Sequence, residues 1–180
     1  MTEAEKIIYT ATIGFIIWFL QKAISYIVFR SRITQSLLSD MKLNTDQVQE
    51  AYDYLKKFEK TYLIEGNKLE YINKFIKNET SYYQCQLAEL PKYYSRKTID
   101  RLSKFYYSLW ELTMIIEGLV NYLTHLYESN TVLSDNEILR ATKKLSRIYK
   151  LAEIILRNKT TSLSDLIDNY EGRLGPDSTI

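Results

Sequence analysis

The two residue types that build most small metal and catalytic sites are almost missing from this chain. It has one cysteine, Cys85, and one histidine, His125, in 180 residues. A single cysteine excludes an internal disulfide framework and a cysteine-based zinc site. A single histidine excludes paired-histidine metal motifs and any mechanism that needs two imidazoles. Glycine and proline are scarce, at 5 and 2, which argues against a turn-rich all-β architecture. No glycine-rich loop ending in Lys-Ser or Lys-Thr, no GxGxxG and no GxSxG elbow occurs. No cofactor is implied by any of these patterns. Net charge is also small, +2 from 24 basic and 22 acidic residues. Beside 46% hydrophobic content, that excludes a disordered polyelectrolyte. It gives little electrostatic drive toward nucleic acid.

What the chain does have is a long apolar run near its start. Residues 7–29, IIYTATIGFIIWFLQKAISYIVF, approach the roughly 20 apolar residues a helix needs to cross a bilayer. Ile7, Ile8, Ile13, Phe15, Ile16, Ile17, Trp18, Phe19 and Leu20 surround such a helix on all sides. An interfacial amphipathic helix keeps one charged face instead. Gln21 and Lys22 interrupt the run, and a lysine stem can snorkel toward the headgroups. The first six residues are acidic where a secretory leader is basic, and no small-x-small cleavage site follows before Arg30. The expectation is an uncleaved signal anchor after a short tail, residues 1–6. Lys22, Arg30, Arg32 and Lys42 outnumber Lys6 across the span. This predicts an outside N-terminus and a cytoplasmic C-terminal domain. Lys22, Arg30 and Arg32 are the expected membrane-interface residues.

Thr10, Gly14, Gln21 and Ser25 fall within a sector of about 60° at roughly 100° per residue. Small residues let membrane helices approach, and a glutamine can hydrogen-bond between them. This face is the candidate for homo-oligomerisation through the membrane helix.

The remainder reads as amphipathic helices. Residues 30–43 form a juxtamembrane helix and linker, broken at Lys42-Leu43-Asn44. Asn44 with Gln47 resembles a capping box for a second helix on Val48, Ala51, Tyr52, Leu55, Phe58 and Tyr62, ending near Gly66. A third helix over about 68–90 carries Leu69, Ile72, Phe75, Ile76, Tyr83, Leu87 and Leu90 before Pro91 stops it. A fourth, from Thr98 to about Glu128, carries Ile99, Leu102, Phe105, Tyr106, Leu109, Ile116, Leu119, Val120, Leu123 and Tyr127. Ser134 with Glu137 caps a fifth, on Ile138, Ala141, Leu145, Ile148, Ala152 and Ile155. A short sixth, Leu163 to Tyr170, follows a Ser162–Asp165 cap. The predicted fold class is all-α: one N-terminal transmembrane helix, then a cytoplasmic bundle of four to five helices over residues 44–171 and a tail, 172–180.

Three further groups are candidate sites. Glu117, Asn121 and His125 are spaced four apart and share one face of the fourth helix. An acid, an amide and an imidazole there can serve proton transfer, or form a polar seam. Arg140, Lys143, Lys144, Arg147 and Lys150 make the fifth helix basic, either as a solvated face or as a seat for anionic headgroups. Lys92-Tyr93-Tyr94-Ser95-Arg96-Lys97 mixes cations with aromatics, a pattern that can grip phosphates and stack bases. In the tyrosine pairs 82–83, 93–94 and 106–107, helical geometry predicts that one ring packs and the other shows.

With no catalytic motif, the expected function is a membrane-anchored interaction protein, an adaptor or accessory subunit with the lipid bilayer and an unknown protein as partners. The alternatives are an oligomerising membrane-perturbing effector and an enzyme using the Glu117 row.

Overall fold

In a computed structural model the chain is described over residues 2–64, 81–128 and 133–171. It is all-helical, with no strand among the described residues. Four α-helices follow in order: α1 Glu3–Phe58, α2 Ser81–Gln86, α3 Arg96–Glu128 and α4 Asp135–Glu171. A π-helical turn, Glu59–Ile64, extends α1, and a 3-10 turn, Leu90–Lys92, precedes α3. The chain divides into two compact units, Met1–Ser36 and Leu37–Ile180.

In the first unit the helix begins at Glu3, inside the stretch expected to be a tail. Thr2 and Glu5 explain this start. The Thr2 amide donates to the Glu5 carboxylate at 2.6 Å, and the Glu5 amide donates back to the Thr2 hydroxyl at 3.3 Å. This is a reciprocal capping box with acidic residues in the first turn.

In the second unit the expected break at Lys42-Leu43-Asn44 does not occur. Asn44 donates its side-chain amide to the Asp40 carbonyl at 2.9 Å, four residues back, instead of capping a new helix. The physical reason is burial. Leu37, Met41, Val48 and Leu55 form one continuous buried row through the polar interruption. Packing of that face outweighs weak local propensity.

α3 starts two residues before Thr98 because Ser95 caps it. The Thr98 amide donates to the Ser95 hydroxyl at 3.2 Å, and the Ile99 amide to the Ser95 carbonyl at 3.0 Å. At α4 the expected capping box is present. The Ser134 amide donates to the Glu137 carboxylate at 2.7 Å, and the Glu137 amide donates to the Ser134 hydroxyl at 3.4 Å. The expected fifth and sixth helices are one. Leu166 is buried like Ile155, eleven residues earlier. Eleven residues are close to three whole turns, so the same face stays covered. Asp165 does not cap a new helix; its carboxylate pairs with Arg101 of α3.

α3 and α4 pack antiparallel. Glu111 meets Arg147, Gly118 meets Lys144, and Arg101 meets Asp165. The buried row of α3 is Leu102, Phe105, Leu109, Leu112, Ile116, Leu119 and Leu123. That of α4 is Ala141, Leu145, Ile148, Ala152 and Ile155. Tyr106 ties three elements together. Its hydroxyl donates to Asp40 of α1. Its ring stacks on Tyr83 of α2, centroids 4.1 Å apart. The Tyr83 hydroxyl in turn lies 2.7 Å from that of Ser103.

The expected helix over 68–90 is present only as α2, which ends at Gln86. Its residues 68–80 and the cap residue Gly66 lie outside the described residues, as do Gly172 and the tail. Leu87, expected in the core, is exposed because the helix has already ended and its periodicity no longer applies. The pair Tyr93 and Tyr94 departs from the one-in, one-out expectation, and both rings are buried. They follow the 3-10 turn, where helical spacing does not set their directions. Tyr106 is buried and Tyr107 exposed, as expected on a regular helix.

Candidate interaction surfaces

α1 is long and apolar enough to cross a membrane, and none of its most apolar 18-residue window is buried. A core helix of a water-soluble protein covers such residues. Here every residue of 7–29 except Ala23 is exposed. Thr10, Gly14, Gln21 and Ser25 are all exposed on it. Nothing lies within 4 Å of the position a Gly14 Cβ would take. The Thr10 hydroxyl donates to the Lys6 carbonyl at 2.9 Å, so its proton is used within its own helix. Of the expected interface cations, Lys22 and Arg32 are exposed, whereas Arg30 is buried at 5% exposure.

On α3, Glu117, Asn121 and His125 all face outward. Among the described residues no cluster of three or more His, Cys, Asp or Glu side chains could hold a metal. The row is the polar half of a longer outward stripe. Tyr107, Trp110 and Met114 precede it at spacings of three and four and are 63%, 52% and 52% exposed. The Tyr107 and Trp110 rings lie 5.8 Å apart. The sequence reading singles out the polar half and one exposed ring of the 106–107 pair, but not Trp110 and Met114. The signal was present: Trp110 and Met114 fall opposite Leu109, Leu112 and Ile116 on the helical wheel.

On α4, Arg140, Lys143, Arg147 and Lys150 are exposed. Lys144 turns toward α3 instead. Its ammonium donates to the Gly118 carbonyl at 3.1 Å and sits 5.2 Å from the Tyr122 ring centre. Arg147 pairs with Glu111 at 2.8 Å. Before α3, burial of Tyr93 and Tyr94 leaves Lys92, Arg96 and Lys97 without the exposed rings that base stacking needs. The Cys85 side chain lies outside those described.

A polar aromatic cluster between α1 and α4 has no counterpart in the sequence reading. The Tyr149 hydroxyl donates to Glu59 at 3.0 Å, and burial pushes its pKa well above the usual phenol range. Tyr52 packs edge-on against the Tyr149 ring, centroids 5.2 Å apart. The Lys56 ammonium sits 4.4 Å from the Tyr149 ring centre, a cation–π contact. The Tyr52 hydroxyl reaches Glu153 at 3.4 Å. These groups satisfy one another, so the cluster works as a seam between helices.

Searches for a matching protein-family model, a similar curated protein and a similar solved structure each found none.

Proposed function

We propose that the chain is a membrane-anchored helical interaction protein, an adaptor or accessory subunit. It recruits or senses a protein partner at the cytoplasmic face of the membrane. The observation that carries this reading is the outward stripe Tyr107, Trp110 and Met114 on a helix whose other face is fully engaged in packing. Aromatic and methionine side chains are enriched in protein interfaces, where they supply area at low entropic cost. The uncovered apolar stretch of α1 supports the anchoring, and the excess of Lys and Arg after it supports the cytoplasmic orientation.

The test is mild crosslinking and affinity capture of the full chain from its native membrane, beside a Tyr107→Ser, Trp110→Ser, Met114→Ser variant. A stoichiometric protein lost from the variant supports the reading. Equal capture by both chains overturns the role of the stripe. Recovery of self-crosslinked oligomers alone favours the second reading, a membrane-perturbing effector. Its support is the open face around Gly14, and liposome leakage abolished by Gln21→Leu is its expected signature.

A further inference from the structure

The outward face of α4 differs in chemistry from the outward face of α3. Arg140, Lys143, Arg147, Lys150 and Arg157 are exposed and succeed one another at helical spacing. They form a stripe about 26 Å long at 1.5 Å per residue. Two aliphatic residues, Leu139 and Ile154, lie on the same stripe and are 53% and 48% exposed. Glu153 and Asp135 are exposed acids at its edge, and Glu111 of α3 reaches Arg147. The opposite face of the helix is buried through Ala141, Leu145, Ile148, Ala152 and Ile155, so the helix is held in one rotation. Lys144, which faces α3, takes no part.

We propose that this face docks on an anionic lipid bilayer, an inference that rests on the membrane-anchored reading above. Four of these cations, Arg140, Lys143, Lys150 and Arg157, match a dense layer of headgroup phosphates, while Arg147 is paired with Glu111 of α3. Long basic side chains extend polar heads to that layer while their stems cover apolar surface. Leu139 and Ile154 suit the boundary between headgroups and acyl chains, where interfacial helices bury their apolar side chains. Nucleic acid presents phosphates as well, but the stripe has no exposed aromatic ring to stack on a base. An exposed leucine and isoleucine gain nothing against a phosphate backbone. The lipid surface is the occupant that uses both kinds of side chain.

The experiment uses the full chain with Cys85→Ser and Ser146→Cys, the latter an exposed position on the edge of the stripe. An environment-sensitive fluorophore is attached there. The protein is reconstituted into vesicles of phosphatidylcholine alone, or of phosphatidylcholine with phosphatidylglycerol, each with or without brominated lipid. The expected result is a blue shift and bromine quenching in the anionic vesicles only. Both are lost in Lys143→Glu, Lys150→Glu and in high salt, which shortens the Debye length. Circular dichroism of that variant matches the parent. Identical emission in both vesicles, or quenching that survives charge reversal, overturns the proposal. A label that responds to added RNA or DNA and not to anionic lipid also overturns it. Alkaline carbonate extraction separates the two readings. A chain that resists extraction yet shows no headgroup dependence overturns this inference alone. A chain released by carbonate overturns the anchoring on which it rests.

Discussion

Arg101 of α3 and Asp165 of α4 form an ion pair between residues 64 positions apart in sequence. Both side chains are partly buried, at 32% and 23% exposure. The pair joins the first turns of α3 to the far part of α4, one residue before the buried Leu166. It also leaves no cap for a separate sixth helix, because the Asp165 carboxylate is engaged with a neighbouring helix while burial of Leu166 keeps α4 continuous.

Removing either partner should loosen the far part of α4 before the rest. Asp165→Ala and Arg101→Ala are each expected to cost about 1 kcal/mol, the upper range for a partly exposed pair. The double variant should cost less than the sum of the two. A double-mutant cycle in urea, with hydrogen exchange of the α4 amides, checks this. Full additivity would show that the pair contributes nothing.

The capping box at the start of α4 predicts an acid-sensitive end. The backbone amide and hydroxyl of Ser134 hold the Glu137 carboxyl below the usual carboxylate range. A lowered folded pKa makes this contribution complete above the unfolded value of about 4.3. It is lost as the pH falls through the lower folded value. Ser134→Ala should cost about 1 kcal/mol at neutral pH. Urea midpoints of the two chains should draw closer in acid, where the hydroxyl loses its charged acceptor, with a residual gap from the Glu137 amide bond to the Ser134 hydroxyl.

At the alkaline end the sign reverses. Burial raises the phenol pKa of both Tyr149 and Tyr83. The stability these protonated phenols contribute is intact below the ordinary value of 10.0. Above it the unfolded chain releases protons that the folded chain retains, so stability falls. Tyr149→Phe should cost about 1 kcal/mol at neutral pH through the lost bond to Glu59. It should also flatten the alkaline decline of the melting temperature.

Gly118 offers a stabilising change. It sits inside α3, and nothing lies within 4 Å of the position its Cβ would take. Gly118→Ala should raise stability by about 0.5–1 kcal/mol through the entropy of the unfolded chain. Thermal melts of the full chain in detergent check this. A loss of stability would mean that the α3–α4 contact at Lys144 needs the glycine.

Much of the helical arrangement was legible from spacing alone. Leu102, Phe105, Leu109, Ile116 and Leu119 were assigned inward from their three- and four-residue intervals, and all are buried. Ser134 and Glu137 were readable because a capping box is a local interaction whose two members lie three residues apart. The misreadings at Asn44 and Asp165 share a cause. Each residue has a local role it can play and a second role that folding makes available. Tyr93 and Tyr94 were misread because they lie in the irregular link between the 3-10 turn and α3, where no helical period sets the angle between neighbouring side chains.

The candidate surfaces divide in the same way. The apolar character of residues 7–29 and the basic character of α4 are properties of composition and local spacing, and the amino-acid sequence determines both. Which α4 cations face outward was decided by tertiary packing. Lys143 and Lys144 are adjacent and chemically identical, yet one is exposed and the other reaches the Gly118 carbonyl of α3. The same packing left Tyr107, Trp110 and Met114 uncovered while burying Leu109 and Leu112 between them. An amphipathic helix has one face that must be covered, and only the position of its neighbours decides which side chains that cover reaches.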